Sequence, residues 1–174
     1  GTMGYEQAPA TKMLATYCAA CGRPLVDAKS VEMGMGPACR KKYGYNAPGL
    51  DHVRDEANKL IYRIALKQQG VDVLMQAAQL RALGFGKIAD KVEKRVAKIR
   101  ILVVEGQVRL VVPYNPDFNF RTGRIPGRQW HAKEKMWSFP VAARPMVWDA
   151  LCISFRGETA LGPNGPFIVA KKAA

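Results

Sequence analysis

Apolar positions recur along this chain at two periods, and the change from one to the other divides it. From Asp51, the residues Val53, Ala57, Leu60, Ile61 and Ile64 fall at helical spacing, with Asp51 placed as an N-cap and Gly70 as a stop. A second helix is predicted over about residues 71–83, ending at Gly84, and a third over about 86–98. In the third, Ile88, Val92 and Val96 face inward, and Lys87, Lys91, Lys94, Arg95 and Lys98 lie mostly outside. Gly-Phe-Gly-Lys at 84–87 falls between two helices with no preceding strand, so it reads as a helix-to-helix turn and not a phosphate cradle.

At Ile99 the period becomes two. IRILVV and QVRLVV flank Glu105-Gly106, which predicts a β-hairpin closed by a glycine at positive φ, and Pro113 ends the second strand. Residues 115–123 suit a short helix, GRQWH and KMWSFP suit two short strands, and PMVWDALCI suits a helix burying Val147, Leu151 and Cys152. The Gly/Pro-rich stretch from 156 reads as a loop, with Phe167 to Ala170 as an edge strand. The resulting organisation is α+β: a flexible remnant over 1–12, a cysteine-rich segment over 13–50, helices over 51–97, a mixed domain over 98–155 and a tail over 156–174.

Composition narrows the function classes. The 174 residues carry 27 Lys and Arg against 14 Asp and Glu, a net charge of +13, and 48% are hydrophobic, enough for a core. No stretch approaches the ~18 apolar residues of a membrane span, and the opening residues lack the regions of a signal peptide. The expectation is a soluble protein, cytoplasmic or nucleoid-associated, without a membrane partner. Residues 98–155 are the most biased segment, with nine basic against four acidic residues. Within them Arg121, Arg124, Arg128, Lys133 and Lys135 face only Glu134.

Cys18 and Cys21 form a CxxC pair, Cys39 follows a Gly-Met-Gly-Pro turn, and Cys152 stands apart in an apolar run. Without an export signal, such a pair points to a metal or redox site more than to a disulfide. CxxC brings two thiolates to one point, and Cys39 in the first turn of a short helix supplies a third ligand for Zn2+. Reduced thiols or a redox pair are the alternatives. The run CAACGRPLVDAKSVEMGMGPAC resembles a small zinc-ribbon-like family of phage and bacterial proteins with the pattern CxxCGRxLxxxxSxxxGxGPxC. That resemblance implies a structural zinc and no catalysis. Lys41, Lys42 and Tyr43 stand where a knuckle would offer its fourth ligand, so His52 is the first choice, ahead of Asp51, Asp27 and the distant Cys152.

Lys and Arg bind phosphates, and aromatic rings stack on unpaired bases. The stretch FNFRTGRIPGRQWHAKEKMWSFP interleaves the two. Arg121, Arg124, Arg128, Lys133 and Lys135 are expected at phosphates and Trp130 against a base, while Trp137 and Phe139 read as core aromatics. His131 has no partnered carboxylate nearby and reads as structural. The hairpin IRILVVEGQVRLVV, the Pro-Tyr-Asn-Pro-Asp-Phe segment, Arg128-Gln129-Trp130-His131 and Lys135-Met136-Trp137-Ser138-Phe139-Pro140 together resemble the HARP domain, the module beside the motor of annealing helicases. The resemblance implies a ββαββα architecture and binding of DNA where single and double strands meet. It does not extend to the motor, since no GxxxxGK[ST] loop occurs in these residues.

These readings converge on a zinc-containing, non-enzymatic nucleic-acid-binding protein with DNA forks or junctions as partner, at work in replication or repair. RNA remains open, because phosphate contacts do not distinguish the sugars. Two further classes stay in view. One is a phage-type interaction or inhibitor module acting on a protein partner, and the other is a metal-dependent nuclease built on His131 or His52 with Asp51 or Glu134.

Overall fold

The computed structural model describes residues 14–170; the leading segment expected to be flexible lies outside them. Two compact units divide the chain, one taking residues up to Gln69 together with Gln76–Arg95, the other Gly70–Met75 with the residues from Val96 onward.

In the first unit, α1 (Ala28–Met33) and α2 (Pro37–Lys42) follow the CxxC segment and precede α3 (Arg54–Lys67). The apolar stripe of α3 packs as its spacing predicts: Ala57, Leu60, Ile61, Ile64 and Ala65 are all buried. Its ends differ from expectation. Asp51 does not cap α3; Asp51–Val53 form a 3-10 turn, and the Asp51 carboxylate pairs with the Arg54 guanidinium. The helix stops at Gln68, with φ at 68°, two residues before Gly70. Helix α1 carries no apolar stripe and is held by its caps. The Asp27 side chain accepts from the Ser30 N–H, and Gly34 closes the helix at φ 76°. A Cβ on Gly34 would meet the Tyr62 Cα at 3.2 Å, so glycine also permits the close approach of α1 to α3. Two longer helices follow, α4 (Val71–Leu83) and α5 (Gly86–Val96), joined through the turn at Gly84 and Phe85. On α5, Ile88, Ala89 and Val92 are buried. Lys87, Lys94 and Lys98 are exposed as expected, but Arg95 is half-buried.

The second unit is built on a six-stranded mixed sheet of order β3-β4-β2-β1-β5-β6. Strands β1 (Ile99–Val104) and β2 (Gln107–Val111) form the expected hairpin, and Glu105 and Gly106 both take positive φ (49° and 76°), the handedness that suits a two-residue turn. Helix α6 (Pro116–Thr122) follows, capped by Asn115, whose side chain accepts from the Phe118 N–H. Then come β3 (Gln129–His131), β4 (Met136–Pro140) and α7 (Arg144–Ser154). Alternation places Ile99, Val108, Leu110 and Phe139 on the sheet face covered by α6 and α7, where they meet Phe118, Val147, Leu151 and Phe155. Cys152 is buried in the same core, as expected.

The residues after 155 correct the sequence reading in part: the expected edge strand is present, at Gly165–Ile168, but the run before it is not a loop. Together they form a second hairpin, β5 (Thr159–Gly162) and β6 (Gly165–Ile168), and β5 joins the sheet by pairing parallel to β1. No helix among the described residues is long and apolar enough to cross a membrane.

Candidate metal centre and basic aromatic strip

The cysteine segment is a tight backbone loop. The Cys18 N–H donates to the Arg23 carbonyl at 2.8 Å, the Gly22 N–H to the Cys18 carbonyl at 2.9 Å, and Tyr17 bridges Pro24. The Ala19 N–H reaches the Gly34 carbonyl at 2.8 Å, which ties this loop to the turn between α1 and α2. Pro37 at the start of α2 pre-sets the helical φ and sets Cys39 in the first turn.

This arrangement brings the sulfurs of Cys18, Cys21 and Cys39 within 4.8 Å of one another. A tetrahedral ion with sulfur ligands at ~2.3 Å separates them by about 3.8 Å, so small side-chain adjustments suffice to close the site. Burial works to raise the Cys18 thiol, but backbone hydrogen bonds from Cys21, Gly36 and Ala20 outweigh it and hold the thiol below its ordinary value. Cys39 moves the other way, pushed up to about 12 by burial and by the charge of Cys18. Three thiolates this close repel one another, and a divalent cation removes the conflict. The three residues fit a soft metal ion.

The expected fourth ligands are elsewhere. His52 is not part of the group; it is exposed in the 3-10 turn that Asp51 and Arg54 pin in place. Asp27 is engaged as the α1 cap, accepting from Ser30 N at 2.8 Å and Ser30 Oγ at 2.7 Å, and those bonds hold its carboxyl below the usual range. The Cys152 thiol donates to the Ala170 carbonyl at 3.1 Å in the core of the second unit.

In the second unit, the basic residues separate into two kinds. Arg124, Lys133 and Lys135 are exposed, the two lysines in the turn between β3 and β4. Arg121 is exposed and donates through Nε to Asp117 at 2.8 Å; this bond, with a second from Ser154, holds the Asp117 carboxyl below its usual range. Arg128 differs from them all. It is half-buried, its Nη1 donates to the Asn119 carbonyl at 2.9 Å and to Thr122 Oγ1 at 3.0 Å, and its guanidinium lies 4.3 Å from the Trp137 ring centroid. Expected at a phosphate, Arg128 instead fastens the end of α6 to the sheet.

Trp137 packs partly against the core, and Phe139 is fully buried. Trp130, its cross-strand partner, meets Trp137 at 4.9 Å between ring centroids yet remains 51% exposed on an edge strand. His131 Nε2 lies 2.8 Å from Ser138 Oγ.

Two aromatics escaped the sequence reading. Phe120 is 76% exposed and Tyr114 84% exposed. Phe118 and Phe120 stand two residues apart on one helix, which turns them to opposite sides, so burial of Phe118 forces Phe120 outward. Arg128, bonded to Asn119 and Thr122 and lying over Trp137, stands between α6, which carries Phe120 and Arg121, and the Trp130–Trp137 pair.

Residues 8–44 match the model of a family of unknown function, DUF6011, a stretch that contains all three clustered thiols. No curated protein and no solved structure matches the chain.

Proposed function

We propose that this protein is a non-enzymatic nucleic-acid-binding protein that uses a structural zinc in its first unit and binds DNA at junctions of single and double strand through its second. The observation that carries the reading is the set of exposed cations and rings on and after α6 and along the β3–β4 hairpin. Arg121, Arg124, Lys133 and Lys135 offer exposed cationic heads, and Trp130 and Phe120 offer ring faces that only unpaired bases can reach. The order β1-β2-α6-β3-β4-α7 supports a HARP-like reading of the second unit, which the hairpin β5-β6 then extends. Zinc is favoured for the three-thiolate group because sulfur ligands in a tetrahedron suit it without any redox change.

The test is an anisotropy titration of forked, single-stranded and duplex DNA with the wild-type chain and Trp130→Ala. The reading expects forked and single-stranded DNA to bind more tightly than duplex, with that preference reduced in the variant. Equal binding of all three, unchanged by the substitution, refutes it.

A second reading, a protein-interaction module, draws on a cavity of about 850 Å³ in the second unit, lined by apolar residues including Ile101, Val103, Leu110, Val147, Trp148 and Phe167. Pull-down of a protein partner that survives nuclease treatment and is lost on Val103→Glu would favour it over DNA.

A further inference from the structure

On α5, Arg95 turns its head group toward the cysteine loop. Its Nη2 donates to the carbonyl of Ala19, between the two cysteines of the CxxC pair, at 2.8 Å, and its Nη1 donates to the carbonyl of Gln68 at 2.8 Å. Gln68 completes the link. Its side-chain amide donates to the carbonyls of Tyr17 at 3.2 Å and Cys18 at 3.3 Å, and also to that of Ala65 at 2.8 Å.

Two local features show that the contact has been accommodated. Gln68 holds a φ of 68°, which a residue with a side chain adopts only when its surroundings compel it. Gly22, directly after Cys21, holds a φ of 75°, and a Cβ there would stand 3.2 Å from Arg95 Cδ, so the glycine leaves the arginine its room. The Arg95 Nε atom is buried and has no hydrogen-bond partner. A buried N–H without an acceptor is costly, so the two carbonyl bonds of the guanidinium must outweigh it to hold the head group here. Three thiolates around a divalent ion leave one net negative charge, which a guanidinium at this place offsets.

We propose that Arg95, seated by Gln68, is the positioning residue of the metal centre: it orients the Cys18–Cys21 loop through backbone carbonyls and balances the charge of the loaded site. The inference rests on the metal reading above and extends the centre beyond the residues that the family model matches.

Cobalt(II) titration of the full chain, in competition with a chelator, tests it by affinity and by the energy of the sulfur-to-cobalt charge-transfer band. Loss of an outer-shell partner at a metal site typically weakens binding about 10- to 100-fold, and Arg95→Met is expected to fall in that range with a shifted band. Arg95→Lys restores the charge but not the two-carbonyl grip, so it recovers part of the affinity. Gln68→Gly keeps the backbone carbonyl and relieves the positive φ while deleting the amide, so it weakens binding without loss of helix by circular dichroism. Lys94→Met, one residue away and exposed, should match wild type. Wild-type affinity and an unshifted band in both Arg95→Met and Gln68→Gly overturn the proposal and leave the metal reading standing. Failure of the wild-type chain to bind cobalt removes the metal reading and this inference with it. If Arg95→Met does not fold, Gln68→Gly decides.

Discussion

The cysteine loop and the sheet unit each carry an arginine that grips backbone carbonyls, but what lies behind the grip differs. Arg95 grips the carbonyls of Ala19 and Gln68, and Arg128 grips the Asn119 carbonyl and Thr122 while lying over Trp137. Behind Arg128 stands a packed core of Phe118, Leu110, Phe139 and Leu151. Around Arg95, the loop over residues 14–36 buries only Cys18, Met35 and small residues such as Ala15, Ala19 and Ala20. The apolar area available there is slight, and the three clustered thiols could hold a metal ion that supplies what burial does not. Where burial is ample, the fold does not depend on the exposed charges. Arg95 and Arg128, like Arg40 and Arg54, therefore commit part of the net charge of +13 to internal carbonyls.

The sharpest break in this comparison comes from removing the metal. Structural zinc typically contributes about 10–16 kcal/mol of apparent binding free energy, so a chelator or Cys39→Ser should abolish amide-exchange protection over the cysteine loop and α1. Survival of that protection in Cys39→Ser would show that the loop holds without metal. Acid should act in the same direction. Binding requires thiolates, and the Cys39 thiol, pushed up to about 12 by burial and by Cys18, must give up its proton on loading, so metal affinity falls as pH falls and proton release accompanies titration.

The next effect belongs to the sheet unit. Phe118→Ala removes a fully buried ring and should cost about 3–5 kcal/mol in urea unfolding. Arg128→Met should cost about 1–3 kcal/mol, because Thr122 and Asn119 lose a charged donor and Trp137 its cation. If Arg128→Met leaves stability unchanged and only weakens DNA binding, Arg128 is a phosphate contact after all.

Trp130→Ala should cost about 0.5–1.5 kcal/mol of stability through the lost ring pair with Trp137 but weaken single-strand binding by about 1–3 kcal/mol, the stacking of one base. Smallest is Arg121→Gln. Its exposed pair with Asp117 contributes at most about 1 kcal/mol to stability, while the slope of log affinity against log salt on duplex DNA should fall by about 0.9.

Much of the architecture could be read from local spacing. The stripe Ala57, Leu60, Ile61, Ile64 went to a core, the alternation around Glu105-Gly106 made a hairpin, and the paired thiols of Cys18 and Cys21 met Cys39 through a helix start. What could not be read depends on pairing across distance. The segment around Thr159 lies in a Gly/Pro-rich run and becomes a strand because β1 offers it a parallel edge. His52 has a ligand's chemistry, but the Asp51–Arg54 pair sets its turn apart from the thiols. Arg95 and Arg128 are indistinguishable from surface cations until the carbonyls they reach are seen. Phe120 could have been found, because two phenylalanines two residues apart cannot share one helix face.

The central claim, a DNA-binding strip on the sheet unit, is tested most directly by titrating forked DNA with the wild-type chain and the double variant Arg124→Glu/Lys133→Glu at two salt concentrations. The account predicts a steep salt dependence in the wild type, and in the variant a large loss of affinity with the log–log slope reduced by about 1.4–1.8, that is about 0.7–0.9 per lost phosphate contact. An affinity and salt slope unchanged by the double reversal would contradict it.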